Sequence, residues 1–98
     1  MSDPVKVAPN VYRVVFENER VRVLEAKIKK GQKSAMHRHP KNFVYVLESG
    51  QAKFTSPDGK TQKVQMKAGD AMWFDEQEHT SENVGTKTAR ALIVELKQ

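Results

Sequence analysis

Short β-prone runs cut by turn residues follow one another along most of the chain, and no stretch of helical length carries a convincing period near 3.6. VYRVVF (11–16) is closed by the turn-like Glu17-Asn18, and RVRVLEAKI (20–28) follows it. In that second run Val21 and Val23 share one face while Leu24, Ala26 and Ile28 share the other, a slip in phase that predicts a bulge or a strand covered on both sides. SAMHRH (34–39) reads as a short strand stopped by Pro40, and NFVYVLE (42–48) as a stronger one. QAKFTS (51–56) and TQKVQM (61–66) flank Pro57-Asp58-Gly59, a strong hairpin signal. AMWF (71–74) follows the tight turn Ala68-Gly69-Asp70, and TARALIVEL (88–96) sets Leu92, Val94 and Leu96 on one face. About eight strands in so short a chain leave room only for an all-β barrel or sandwich.

At 98 residues the chain is expected to form one domain, 1–98, with a limited monomeric core. It has no cysteine, which excludes disulfides, thiolate metal sites and a cysteine nucleophile, and fits a reducing compartment. MSDPVKVAPNVYR lacks the apolar core of a secretory signal, and no apolar run approaches the roughly 18 to 20 residues of a membrane span. The expectation is a cytoplasmic protein with no membrane partner. The net charge of +5 raises the question of nucleic acid, but acidic residues interrupt the lysines and no basic aromatic stripe or recognition helix accompanies them. A solvated, solubilising surface is the simpler reading.

Chemistry concentrates in the chain's three histidines. Side chains two apart on a strand point the same way, so His37 and His39 project together while Met36 and Arg38 face the other side. Imidazole is a common ligand for first-row metals, and two such ligands become a competent site when a third arrives from elsewhere in the fold. His79, in DAMWFDEQEHTSEN, is the candidate. No Ser-His-Asp arrangement, phosphate-cradling glycine loop or shared carboxylate pair is visible, which argues against covalent catalysis.

The spacing resembles that of the cupins. Their first motif, G-x5-H-x-H-x3-E-x6-G, matches Gly31, His37, His39 and Gly50, with Phe43 where the motif has glutamate. Their second motif, a glycine before a histidine followed four residues on by asparagine, matches Gly69, His79 and Asn83. The resemblance implies an antiparallel jelly-roll β-barrel, the double-stranded β-helix, with the histidines pointing into its mouth. It also implies a divalent transition metal (Fe, Zn, Ni or Mn) on His37, His39 and His79, a small-molecule ligand, and a homodimer formed by pairing the first or last strand with a partner. The departure at Phe43 removes the family's carboxylate ligand. Glu48 has the wrong parity to replace it, whereas Gln77 and Glu78 could reach inward from a loop around His79.

Phe43, Tyr45, Phe54, Trp73 and Gln77 are the candidate pocket-lining residues, with Met72 and Phe74 beside them; core packing is the competing reading for each apolar one. Asn83 reads as a turn former, and Gly31, Gly50 and Gly69 as turn or close-approach positions. Two functions follow. One is a metal-dependent enzyme, oxygenase-like or isomerase-like, acting on a small organic acid or diketone-like substrate. The other is a non-catalytic barrel that binds or senses a metal or small ligand.

Overall fold

The computed structural model describes residues 2–97, which form nine strands and one short helix. The helix, α1 (Pro4–Val7), is a single turn that periodicity could not reveal. Asp3 caps it by accepting from Val5 N at 2.9 Å, and Pro4 occupies the first turn, where its missing N–H costs nothing. No helix among the described residues is long and apolar enough to cross a membrane.

The strands are β1 (Tyr12–Glu17), β2 (Val21–Ile28), β3 (His37–His39), β4 (Asn42–Glu48), β5 (Gly50–Thr55), β6 (Thr61–Met66), β7 (Ala71–Phe74), β8 (Gln77–Asn83) and β9 (Ala89–Leu96). All pairings are antiparallel, and they build a five-stranded sheet in the order β1-β2-β9-β4-β7 and a four-stranded sheet in the order β3-β8-β5-β6. This is the expected all-β jelly roll, as two facing sheets rather than one continuous closed ladder. Eight runs match observed strands to within three residues at each end. The ninth, β8, was expected to be a loop around His79.

The core lies between the sheets. Leu24 and Ile28 of β2, Val44 of β4, and Ala91 and Ile93 of β9 bury against Val11, Tyr12 and Ala8. The phase slip anticipated in residues 20–28 sits instead in the partner strand. The register against β2 shifts between Val14 and Phe16, so β1 carries the bulge and β2 runs unbroken against β9. Val15 is the extra residue, and it returns Phe16 to the outer face opposite Val23.

Turn chemistry closes the four-stranded sheet. Gly59, at φ +86°, supplies the left-handed position of the β5–β6 hairpin, while Asp58 accepts from the Ser56 hydroxyl and from Lys60 N. Gly50 has a different task, since a Cβ built there would lie 2.6 Å from the Ala89 Cβ. Its missing side chain lets β4 turn into β5 directly against the start of β9.

Candidate metal centre

β3 and β8 pair so that His37 stands directly opposite His79, with Arg38 opposite Glu78 and His39 opposite Gln77. Alternation along β3 sends both of its histidines inward and Arg38 out to solvent, where it pairs with Glu76. On β8 the same alternation buries His79, Ser81 and Asn83. The three imidazoles therefore meet between the sheets. Their ring centroids are 4.7 Å (His37–His39), 4.8 Å (His37–His79) and 5.4 Å (His39–His79) apart, and one ligating nitrogen from each lies within 4.8 Å of the others. Two bonds of about 2.1 Å to a common ion span at most about 4.2 Å, so a small ring movement closes the set.

Hydrogen bonds decide which nitrogen faces the centre. His37 Nδ1 donates to the Ala35 carbonyl at 2.8 Å; a carbonyl only accepts, so the proton is on Nδ1 and the Nε2 lone pair is free. His39 Nδ1 donates to Glu95 Oε2 at 2.8 Å, so its Nε2 is the nitrogen left for the centre. His79 is oriented by packing instead: its ring stacks on Phe54 at 4.5 Å and an interplanar angle of 4°. His37 Nε2 and both ring nitrogens of His79 are buried with no hydrogen-bond partner among the described residues. Orphaned buried groups of this kind each cost on the order of 1–3 kcal/mol, a cost a bound ion would offset.

Burial also sets the charge state. Desolvation pushes His37 down to about 4 and His79 down to about 3, with the neighbouring histidines adding repulsion; the Ala35 bond opposes the shift at His37. Both rings are neutral at physiological pH, the form that ligates metal. Tyr12 packs edge-on against His37 and His39 at 4.8 and 5.3 Å, and its hydroxyl bonds Ser81 Oγ at 3.1 Å. Burial pushes that phenol up to about 12, so it stays protonated and cannot serve as a base.

A carboxylate stands behind the site, though not in it. Glu95 is 2% exposed and lies between His39 and Arg22; Arg22 donates to Glu95 Oε1 from Nε at 2.9 Å. Arg22 also grips Asp3 through two bonds of 2.9 and 3.0 Å, an arrangement that holds the Asp3 carboxyl below its ordinary value. Arg38 N donates to Ser2 O, so the N-terminal segment is tied to the strand bearing two histidines as well as to this chain of charges. Sequence reasoning missed Glu95, Arg22, Asp3 and Tyr12. The available signal was an acid in phase with Ala91 and Ile93 in ARALIVEL.

The candidate pocket residues divide. Phe54 and Gln77 line the interior cavity, as does Phe74. Phe43, Tyr45 and Trp73 do not: they are 40%, 44% and 51% exposed on the outer face of the five-stranded sheet. The inward positions of β4 are Asn42, Val44 and Val46. Phe43 thus occupies the motif's glutamate position in spacing but not in direction, and none of these inward residues is a carboxylate. Gln77 reaches the cavity from a strand, not a loop, whereas Glu78 faces outward. Asn83 does form a turn, accepting from Gly85 N and donating to the carbonyls of Ile28 and Lys87.

The cavity is small, about 80 Å³, with Val44, Ile93, Phe54 and Phe74 among its apolar walls and His39, His79, Asn42 and Gln77 among its polar ones. A larger cleft of about 310 Å³ lies outside, beside the N-terminal segment. Its charges are already paired, as Arg22 with Asp3 and Glu95, Arg38 with Glu76, and Lys97 with Glu17.

Comparison with known proteins accords with this geometry. The model of the cupin domain matches residues 24–95. A cupin domain of Bordetella pertussis is similar in structure at 26% identity and a TM-score of 0.81, over 90% of this chain and 93% of that one. An uncharacterised conserved protein with a double-stranded β-helix domain from Klebsiella pneumoniae is similar at 28% identity and a TM-score of 0.67, over 86% and 73% of the two chains. The polyketide cyclase RemF of Streptomyces resistomycificus shares the fold at 21% identity and a TM-score of 0.67, over 100% and 74%. A search of curated proteins gives no match.

Proposed function

The chain belongs to the cupin family, and on that premise we propose that it is a single-domain, three-histidine metal protein, a metal-dependent enzyme acting on a small anionic ligand such as an organic acid or diketone-like enolate. The observation that carries this reading is the trio of buried imidazoles between the sheets, in which His37 and His79 keep unpartnered ring nitrogens. Fe, Zn, Ni and Mn all accept imidazole, so the donor set alone does not choose between them. With no carboxylate ligand, a divalent ion here keeps its full charge, and anions are favoured at its open positions. A bound ion supplies Lewis acidity or oxygen activation.

The chain's own residues hold and shield that centre. Ala35 and Glu95 fix the tautomers of His37 and His39, Phe54 fixes the His79 ring, and the apolar walls exclude water. Cavity size restricts the ligand to a few heavy atoms, well below the roughly 300 Å³ and more of drug-sized sites. The lack of cysteine fits a cytoplasmic setting.

A second reading, a barrel that binds or senses a metal or small ligand without turnover, is favoured by one observation. Among the described residues no carboxylate or phenol at the cavity is an unengaged base, because Tyr12 is a protonated phenol, Glu95 is engaged by His39 and Arg22, and Glu48 pairs with Arg90. Metal analysis of protein prepared without a nickel column tests the site common to both. About one equivalent of a transition metal is expected, lost in His37→Ala and His79→Ala. Less than about a tenth of an equivalent after reconstitution refutes the metal in both readings. Oxygen uptake across small carboxylates and diketones then separates enzyme from sensor.

A further inference from the structure

The core-facing side of the five-stranded sheet ends in charge. Arg22 has the parity of Leu24, Ala26 and Ile28 on β2, and Glu95 that of Ala91 and Ile93 on β9, so the two point between the sheets and stand directly opposite each other. An arginine on that face needs its charge met by well-placed partners. Glu95 meets it at Nε, and Asp3, from the N-terminal segment, meets its two Nη groups at 2.9 and 3.0 Å. The other oxygen of Glu95 accepts from His39 Nδ1. One unbroken run of charge-assisted bonds therefore leads from residue 3 to a candidate metal ligand.

We propose that Asp3 and Arg22 are positioning residues for the metal centre: residues 2–12 form a strap whose seating on Arg22 sets, through Glu95, how His39 presents Nε2. The inference rests on the metal reading above and extends it to a segment remote from all three histidines in sequence.

Two further contacts tie the strap to the site. β3 is the outer strand of its sheet and pairs along one side with β8, while the N–H of Arg38, the residue between the two ligands, donates to Ser2 O at 2.8 Å. At the far end of the strap, Val11 N and Tyr12 N both donate to Ala8 O at 3.1 Å, next to the Tyr12 ring that packs edge-on against His37 and His39. Pro4 and Ala8 are buried between these points. Apolar packing thus holds the strap near the site, and the ion pair fixes where its first residues sit.

Removing the Asp3 charge changes what Arg22 does. Two carboxylates against one guanidinium leave one net negative charge behind a centre that has no carboxylate ligand; without Asp3 the group is neutral. A guanidinium released from Asp3 is also free to turn its fork onto both Glu95 oxygens and draw them from His39. Either change makes His39 a poorer ligand, because such outer partners fix the ring and raise its basicity.

Asp3→Asn isolates the link. Asparagine caps a helix as well as aspartate does and keeps an oxygen for Val5 N, but it loses the charge and one acceptor for Arg22. Calorimetric titration of the full chain with Zn²⁺, Ni²⁺, Mn²⁺ and, without oxygen, Fe²⁺ compares wild type, Asp3→Asn, Glu95→Gln and the double variant. Asp3→Asn should weaken binding about 5–10-fold, the lower end of ordinary coupling because Asp3 is partly exposed. In the Glu95→Gln background the same change should cost less than about twofold. Arg22→Lys, which keeps the charge without the fork, should lose at least as much as Asp3→Asn. Reciprocity requires that metal slow amide hydrogen exchange in residues 2–8 of the wild type, and that Asp3→Asn lose most of that protection. A wild type that takes up none of the four metals overturns the metal reading and the role of the strap with it. Affinity that Asp3→Asn and Arg22→Lys leave unchanged, or that Asp3→Asn lowers equally in both backgrounds, overturns the role of the strap alone, since Asp3 then acts through folding and not through Glu95.

Discussion

Acidifying the metal-free protein from about pH 7.5 to about pH 5 should remove a large share of its stability through His37 and His79. Burial holds their folded values near 4 and 3, below the ordinary 6.5 that each regains on unfolding. Between 6.5 and those folded values the unfolded chain binds more protons, so acid favours unfolding and stability rises with pH. At pH 5, about 1.5 units below the ordinary value, each histidine contributes about 2 kcal/mol of this loss, and the pair about 4. A domain of this size has roughly 5–15 kcal/mol in total. The lowered carboxyls, Asp3 and Glu25, add little in this window, because their losses begin near their ordinary values of 3.8 and 4.5.

Urea unfolding of chelator-treated protein at one fixed concentration reads the effect. With a slope of about 1–1.5 kcal/mol/M, the midpoint should fall by roughly 3 M between the two pH values. His79→Phe keeps an aromatic ring against Phe54 but removes one titrating group, so its own fall should be about half as large. A wild-type shift under about 0.5 M would refute the reasoning, because neither buried ring could then be held neutral by the fold. An undiminished fall in His79→Phe would refute the assignment to this histidine.

Two further perturbations probe what holds the site. Glu95→Gln leaves an acceptor for His39 Nδ1 but removes the buried charge between His39 and Arg22, and it should weaken metal binding about 10–100-fold by calorimetric titration. Unchanged affinity would show that Glu95 serves folding alone. Gly50→Ala forces a Cβ to within 2.6 Å of the Ala89 Cβ, and it should destabilise by about 1–3 kcal/mol in urea; a neutral result would mean that β5 and β9 can separate there freely.

Where sequence reading succeeded, the apolar pattern and the turn residues agreed. The hairpin around Gly59, the inward phase of Leu24, Ala26 and Ile28, and the shared direction of His37 and His39 all follow from period-2 alternation. β8 was invisible to the same logic because what it buries is polar. QEHTSEN turns His79, Ser81 and Asn83 inward, and the fold satisfies Ser81 and Asn83 with Tyr12, Ser34, Ile28 and Lys87 rather than with apolar packing. Hydropathy has no means of seeing such a strand; only the register of His79 against His37 identifies it.

NFVYVLE failed for the opposite reason. It is apolar on both faces, so alternation separates Phe43 and Tyr45 from Val44 and Val46 without saying which pair enters the core. The cavity is narrow, and the smaller valines fit it, which sends the aromatics outward. Outward they share a face with Trp73, Val94, Val23 and Phe16, residues from four further runs whose alignment is set by strand order. That order, with the last strand at the centre of the sheet and the first at its edge, is fixed by long-range pairing and leaves no mark in any local window. A single chain therefore shows only that these aromatics should be covered. Whether the cover is its own core or a second copy is a property of tertiary placement, and here the placement puts them outside.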